Sequence, residues 1–309
     1  MRLVFLDSST LGTDIDLSPL ESLGGLISYP TTSESEIIPR IKNCDVLIVN
    51  KVIITPAVID AAKSLKLICV AATGTNNVDI EYANSKGIEV KNVVDYSTDS
   101  VAQVTFGSLF ALINNVEYYN NYVMSGEYSD SLIFTNNRFP FFELKGKQFG
   151  IIGMGNIGKK VASIASAFGA IVNYFPTSGV AHCKDYESVG LNELLGKSDI
   201  ISIHAPLNQK TNNLIAMPQF KLMKPSAIVV NMGRGGIVNE ADLATAIDFD
   251  LISGAVVDVF TKEPLENENP LLSIKKREKV IFSPHIGWAS KEARERLILK
   301  IRDNILSIK

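Results

Sequence analysis

The chain has 309 residues, room for two domains of ordinary size and a large buried core. Hydrophobic residues make up 46% and charged residues 20%, which fits a globular chain and excludes a disordered one. The net charge of -3, with acids and bases mixed along the sequence, argues against nucleic acid or an anionic membrane as partner, since both want a basic face.

No apolar run approaches the roughly 18 residues of a membrane span. The opening MRLVFLDSS runs straight into a strand pattern and lacks the layout of a signal peptide. The three cysteines, Cys44, Cys69 and Cys183, have no metal-ligand spacing, and no metal site is expected. Their odd number points to reduced thiols and a cytoplasmic setting. Cys44 and Cys69 lie beside or within apolar strand runs, where core packing is their role.

Residues 1–96 alternate strand and helix signals. Leu3–Leu6, Leu26–Tyr29, Val46–Val49, Leu67–Ala71 and Ile88–Val93 read as strands. Between them Ser33–Ile41, Pro56–Ala62 and Asp79–Ser85 read as helices with caps or breakers. The alternation implies a parallel sheet covered on both faces. Ligands of such sheets bind at the loops after the strands, and two of those loops stand out. Lys51 follows the third strand and either faces an anionic substrate or is simply solvated. Ala72-Thr73-Gly74-Thr75-Asn76-Asn77 follows the fourth. It is either a nest of backbone N–H groups for an anion or a plain turn in which Asn77 or Asp79 caps the next helix.

Residues 97–115 read as a longer helix, capped within Ser97–Ser100 and crossing from the first unit to the second. Residues 116–142 are rich in Tyr, Asn and Phe and read as a protruding arm or partner contact.

The second unit is organised around Gln148–Gly158. An apolar strand leads into Gly153-Met154-Gly155-Asn156-Ile157-Gly158, and Lys159–Phe168 reads as a helix with Val161, Ile164, Ala165 and Phe168 on one face. Strand, G-x-G-x-x-G and helix together form the dinucleotide-binding fingerprint. Gly153 allows the tight turn, Gly155 lets a pyrophosphate approach the backbone, and Gly158 lets helix and strand pack closely. The N–H groups at the helix start then face the phosphates. The next strand, Ala170–Phe175, should end about 20 residues on in an acid that holds the ribose hydroxyls. Here it ends in Pro176-Thr177-Ser178. The missing acid loosens selection against NADP, and Thr177 and Ser178 suit a hydroxyl or a phosphate. No arginine follows to select NADP.

Further strands follow at Ile200–Ile203, Ala227–Val230, Ser253–Val259 and Val280–Ser283, with a helix at Asp242–Ile247. Each delivers polar residues at its C-terminal end: His204-Ala205-Pro206, Asn231-Met232-Gly233-Arg234, Asp258 with Glu263 beyond it, and Pro284-His285-Ile286-Gly287. Asp258 sits in GAVVDVF, where a carboxylate needs a partner. Of three histidines, His182 lies in a polar loop and His204 lines the nucleotide, which leaves His285 as the acid/base candidate. Ser290 caps a last helix running to Lys309, with Ala293, Leu297, Ile301 and Leu306 inward.

The segments IIGMGNIG, HAPLNQKT, VNMGRGGIVNEADL, GAVVDVFTKEP and SPHIGWASKEARERL occur in one order over nearly the whole chain. Together they resemble the D-isomer-specific 2-hydroxyacid dehydrogenases. ATGTNNVD and HIGWAS look most like the bacterial glycerate dehydrogenases, also called hydroxypyruvate reductases. The resemblance implies two Rossmann-like doubly wound α/β domains. Residues 1–96 with 286–309 would bind substrate and residues 97–285 would bind NAD or NADP, with a cleft between them that closes on the substrate. It implies that Arg234 clamps the substrate's carboxylate and carbonyl oxygen, that His285 moves the proton, and that Glu263 orients His285. The Thr73 and Gly74 N–H groups would bind the carboxylate. Asp258 would hold the nicotinamide end of the cofactor, and Thr211 and Gly287 fall in the cofactor-contacting motifs. Members of the family are usually homodimers joined through the cofactor domain, a role the 116–142 arm suits.

The sequence departs from the pattern at Pro176, so NAD against NADP stays open. The third-strand loop Val49-Asn50-Lys51 lacks the arginine of phosphoglycerate dehydrogenases, and the chain stops at Lys309 without a regulatory extension. Both weigh against 3-phosphoglycerate as substrate. Glu263 with His285 also weighs against formate, whose enzymes resemble one another in using Gln there. Other 2-ketoacids, as in D-lactate dehydrogenases, and a non-catalytic cofactor-sensing role remain as alternatives.

Overall fold

The computed structural model describes residues 1–308. The chain divides into two compact units, Met1–Ser97 with Trp288–Lys309, and Thr98–Gly287.

The first unit holds strands β1 (Arg2–Phe5), β2 (Gly25–Ser28), β3 (Val46–Val49), β4 (Leu67–Val70) and β5 (Glu89–Lys91), all parallel in the order β2-β1-β3-β4-β5. Every residue of β3 (VLIV) and β4 (LICV) is buried. That follows from apolar cover on both faces of a parallel sheet. One face carries Ile37, Ile41, Val58 and Ile59; the other carries Ala293, Leu297, Ile298 and Ile301 of the C-terminal helix. The helices start where their capping residues stand. Ser33 forms a capping box with Glu36, Thr55 accepts from Val58 N–H, and Asp79 accepts from Tyr82 N–H at 3.0 Å. Ser290 accepts from Ala293 N–H at 3.2 Å and opens the helix Lys291–Leu306. Its expected inward residue Leu306 is exposed, and Ile305 is fully buried in its place. Ile305 stands four residues after Ile301 and so keeps the buried stripe, whereas Leu306 has rotated off it. A helix end at Lys309 lies outside the described residues.

The second unit holds β6 (Gln148–Ile152), β7 (Ile171–Phe175), β8 (Glu187–Ser188), β9 (Ile200–Ile203), β10 (Ile228–Asn231), β11 (Gly254–Val257) and β12 (Val280–Phe282). They form one parallel sheet in the order β12-β11-β10-β9-β6-β7-β8. Because every pairing is parallel, the loops after β6, β7, β9, β10, β11 and β12 all emerge at the same edge. The order reverses at β6, with β9 on one side and β7 on the other, and such a switch point opens a crevice at that edge.

The fingerprint helix spans Asn156–Ala167, so it begins three residues before the stretch that sequence periodicity marks, and takes Gly158 into its first turn. Phe168, expected inward, is 51% exposed. It caps the end of the helix, and its ring leans on Phe110 at 4.9 Å and Phe106 at 6.1 Å instead of entering the core. Strand β11 ends at Val257, so Asp258 is the first residue beyond it. Four α-helices and one strand carry no clear sequence signal: Ser18–Glu21, Val116–Met124, Leu191–Lys197, Met217–Phe220 and β8. Val116–Met124 buries none of its residues, which is why it lacks an apolar stripe.

Candidate active site

The turn after β6 has the backbone that its glycines permit. Gly153 has φ +94°, a conformation side chains resist, and a Cβ there would lie 2.9 Å from the Ala205 backbone. A Cβ at Gly158 would collide with the Gly153 carbonyl oxygen. Gly155 is different, because nothing lies within 4 Å of where its Cβ would be. Gly155 is also the N-cap of the twelve-residue helix Asn156–Ala167, and as a glycine it brings no capping side chain. Open space above a glycine at a helix N-terminus is what a pyrophosphate needs. Met154 is buried beneath the turn, and Asn156 and Ile157 begin the helix. The residues present therefore fit a dinucleotide.

The loops after β9 and β10 are pressed together here. A Cβ at Gly233 would lie 2.8 Å from the Ala205 carbonyl oxygen. Ala205 is buried and Pro206 exposed. Thr211 is fully buried; its hydroxyl donates to the Pro206 carbonyl at 2.6 Å and receives the Asn208 N–H at 2.8 Å. It holds the shape of this loop from below. Asn231 works in the same way after β10. Its Oδ1 accepts from Gly233 N–H and its Nδ2 donates to the Arg234 carbonyl, each at 3.2 Å, while Met232 packs inward.

His204 stands at the end of β9. Nε2 lies 2.8 Å from the Ser202 hydroxyl, and Nδ1 is buried with no partner among the described residues. Burial pushes its pKa down to about 3, so the ring is neutral through the physiological range. A permanently neutral imidazole cannot trade a proton near neutrality. That argues against His204 in the acid/base role expected of one histidine.

His285 follows β12 in a left-handed conformation, φ +53°. Asp258, next to it in the fold and 2% exposed, holds the chain there. The Asp258 carboxylate accepts from the Ser283 hydroxyl at 2.5 Å, from Ile286 N–H at 2.9 Å and from Gly287 N–H at 2.8 Å. Its main-chain carbonyl accepts from His285 N–H at 2.8 Å. The buried carboxylate thus has partners on both sides of the histidine, and the Ser100 hydroxyl closes the ring by donating to the Gly287 carbonyl at 2.6 Å. Ser100 and Ser283 carry no sequence signal for this duty, because it depends on which turns meet.

The His285 Nδ1 lies 2.7 Å from Glu263 Oε2, both side chains partly buried. Glu263 Oε1 accepts from Phe260 N–H at 3.0 Å, which fixes the carboxylate plane. The pairing places the Nδ1 proton toward the carboxylate and leaves Nε2 to face outward chemistry. Arg234, after β10, is partly buried, and its Nη1 donates to the Gly233 carbonyl at 2.8 Å. The neighbouring Gly235 lets the Phe260–Thr261 backbone approach closely, since a Cβ there would collide with the Phe260 carbonyl. The arginine loop and the Glu263 loop are therefore packed backbone to backbone. Arg234, Asp258 and His285 follow the adjacent strands β10, β11 and β12.

At the end of β7, Pro176 and Thr177 line a cavity of about 290 Å³. The Ser178 hydroxyl is turned to its own loop, donating to the Val180 carbonyl at 3.2 Å and accepting from Val180 N–H at 3.3 Å.

Lys51, Thr73 and Gly74 belong to the other unit. The Lys51 N–H donates to the buried Asp7 carboxylate at 2.6 Å, as do those of Asn50 and Val52. The Asn77 amide bonds the Asn50 and Val52 carbonyls, so it ties this loop down, and Asp79 is the helix cap. Thr73 donates its hydroxyl to the Val93 carbonyl at 2.9 Å. Among the described residues the N–H groups of Thr73 and Gly74 have no partner.

Two parallel-sheet units, a glycine turn open to phosphate and a hydrogen-bonded His285–Glu263 pair on one sheet edge fit an oxidoreductase that works with a nicotinamide dinucleotide. The family model of the D-isomer specific 2-hydroxyacid dehydrogenase, NAD binding domain, matches residues 106–287, and the chain belongs to this family. It is 35% identical to the hydroxypyruvate reductase of Blautia hydrogenotrophica, covering 96% of this chain and 94% of that one. It is also 35% identical to the glycerate dehydrogenase of Methylorubrum extorquens, covering 98% and 95%. Among solved structures it resembles the acyclic imino acid reductase Bsp5 in complex with NADPH and D-Arg, with a TM-score of 0.88, 29% identity, and 100% and 96% of the two chains covered. Among the described residues no helix is long and apolar enough to cross a membrane.

Proposed function

We propose that the enzyme reduces hydroxypyruvate, and with it glyoxylate, to D-glycerate and glycolate. The observation that carries this reading is the 2.7 Å contact between His285 Nδ1 and Glu263. It leaves Nε2 as the one ring nitrogen able to deliver a proton to a carbonyl oxygen. The relatives named for hydroxypyruvate and glycerate span nearly their whole length at 35% identity, which supports the choice of ketoacid.

The dinucleotide, when bound, supplies the hydride. Its phosphates fit the Gly153–Gly158 turn, with Ala205, Pro206 and Gly233 on the loops beside it. The Arg234 guanidinium presents a planar fork to the ketoacid's carboxylate and carbonyl oxygen. His285 Nε2 gives its proton to that oxygen during reduction and takes it back during oxidation. Glu263 fixes the ring's orientation through Nδ1. Asp258 places His285 and Gly287, and it keeps one unshared lone pair for a nicotinamide amide. In the first unit, the unpartnered N–H groups of Thr73 and Gly74 are donors of the kind a carboxylate takes, with Lys51 a cation on the neighbouring loop.

A homodimer accompanies this reading. Leu132, Ile133 and Phe134 in the 116–142 arm are 101%, 64% and 89% exposed, an apolar run that a second copy would cover. Light scattering after size exclusion would report one mass or two. The three free, buried cysteines suit the reducing cytoplasm.

The test is initial rates on hydroxypyruvate, glyoxylate and pyruvate, each with NADH and NADPH. Hydroxypyruvate should give the highest kcat/KM. A preference for pyruvate or a larger ketoacid would remove the substrate assignment, and no turnover on any of them would remove the reductase reading.

A further inference from the structure

We propose that the cavity at the end of β7 receives the 2′-phosphate of NADP(H), with Lys210 as its cation, so that the enzyme binds NADP(H) in preference to NAD(H). The proposal rests on the dinucleotide reading above and adds which of the two cofactors is selected and by which residue.

The cavity, about 290 Å³, is lined by Pro176, Thr177 and Gly179 from the loop after β7, by Ser188 of β8 and by Lys210 from the loop after β9. This is the position where a dinucleotide fold meets the adenosine ribose. An acid here would bond the ribose 2′-hydroxyl and repel a phosphate. Pro176 stands in its place, and no acid lines the cavity. The acid nearest in sequence, Glu187, precedes Ser188 on the same strand. Alternation sends its side chain to the opposite face from Ser188.

Sequence spacing hides the cation, because a basic residue is sought directly after β7 and none is there. Lys210 lies 34 positions beyond Pro176 and reaches the cavity only through the fold. Its backbone is held firmly. The Lys210 N–H donates to Asn208 Oδ1 at 2.9 Å, and the buried Thr211 hydroxyl ties the same turn to Pro206. The side chain is exposed, and no acid among the described residues forms an ion pair with it. A lysine on a fixed turn, without a carboxylate to compete for it, is a point charge available to a phosphate. Thr177 and Ser188 line the same space, and Gly179, at φ +84° with nothing within 4 Å of a Cβ, leaves room beside them. Ser178 is not part of the set, since its hydroxyl serves its own loop.

The test is isothermal titration of the full chain with adenosine 2′,5′-bisphosphate and with 5′-AMP, which differ by the 2′-phosphate alone. Lys210→Gln and Pro176→Asp are compared with wild type, and thermal melts check that each folds. The wild type should bind the bisphosphate at least about tenfold more tightly, equivalent to about 1.4 kcal/mol. Added salt should shrink that advantage. Lys210→Gln should reduce it to about threefold or less and leave 5′-AMP affinity unchanged, and Pro176→Asp should reverse it. Equal binding of the two nucleotides by wild type, or a Lys210→Gln variant that keeps the advantage, would overturn the proposal and leave the dehydrogenase reading intact. Binding of neither nucleotide would overturn both.

Discussion

Asp258→Asn tests whether the strained backbone at His285 is held by the carboxylate beneath it. The native group takes three donors, from Ser283, Ile286 and Gly287. An asparagine can keep its oxygen toward Ser283 and Ile286. Its amide nitrogen then meets the Gly287 N–H, donor against donor, in a buried place. One unsatisfied buried N–H costs about 1–3 kcal/mol. For a chain of this size that is a fall in Tm of roughly 1.5–5 °C. The left-handed conformation of His285 is itself worth about 1–2 kcal/mol of strain. With the restraint weakened, the loop relaxes toward ordinary backbone angles. The population with Nε2 in place then falls by about 5- to 30-fold. The assay pairs thermal unfolding, followed by circular dichroism, with kcat for hydroxypyruvate reduction at saturating cofactor. Both quantities should drop. A variant within 1 °C or so of wild type and with unchanged kcat would refute the reasoning, because it would show that the three bonds carry neither the fold of this loop nor the position of the histidine.

His285→Ala should cut turnover by about 10²–10⁴-fold while dinucleotide affinity, followed by fluorescence titration, changes little; near-normal kcat would remove the proton-transfer role. Arg234→Lys should lower kcat/KM for the ketoacid by at least about 10²-fold, since a point charge cannot reproduce a two-point grip. Unchanged kcat/KM would contradict the clamp. Gly158→Ala places a methyl against the Gly153 carbonyl oxygen and should abolish dinucleotide binding in titration, with a lower Tm. Binding at wild-type affinity would mean that the turn is not the phosphate site. Stability should also depend on His204. Its folded pKa, about 3, lies below the unfolded value near 6.5, so the unfolded chain binds the extra proton between those values. The stabilisation is complete above pH 6.5 and is lost as pH falls toward 3. Urea unfolding at pH 7 and pH 5 should show a loss of about 1–2 kcal/mol that His204→Asn lacks. Parallel loss in wild type and variant would show that the ring protonates freely in the folded protein.

The parts of this molecule that could be read in the sequence share a physical cause. A parallel strand buried on both faces is largely apolar, so β3 and β4 announce themselves as uninterrupted runs, and β9 and β10 as runs broken only at Ser202 and Asn231. The same runs end in polar residues because each strand delivers its next loop to one edge. That is why Arg234, Asp258 and His285 stand out in the sequence itself. What stayed hidden depends on contacts between distant segments. β8 is two polar residues at the sheet edge, with no pattern to read. Phe168 and Leu306 lie at helix ends, where an apolar residue can continue the sequence period after the stripe has turned away.

The site divides along the same line. The identities of Glu263 and His285 are legible, but Asp258 as the support of a left-handed histidine is not. Its duty is written in three hydrogen bonds from residues 25–29 positions away. A carboxylate in an apolar strand sequence signals only that some partner exists. The partners turn out to be the Ser283 hydroxyl on one side of His285 and the Ile286 and Gly287 N–H groups on the other. The strain at position 285 and the burial at position 258 are therefore one arrangement. Moving the acid anywhere else would leave His285 free to relax, and moving the histidine would leave a buried charge without its donors.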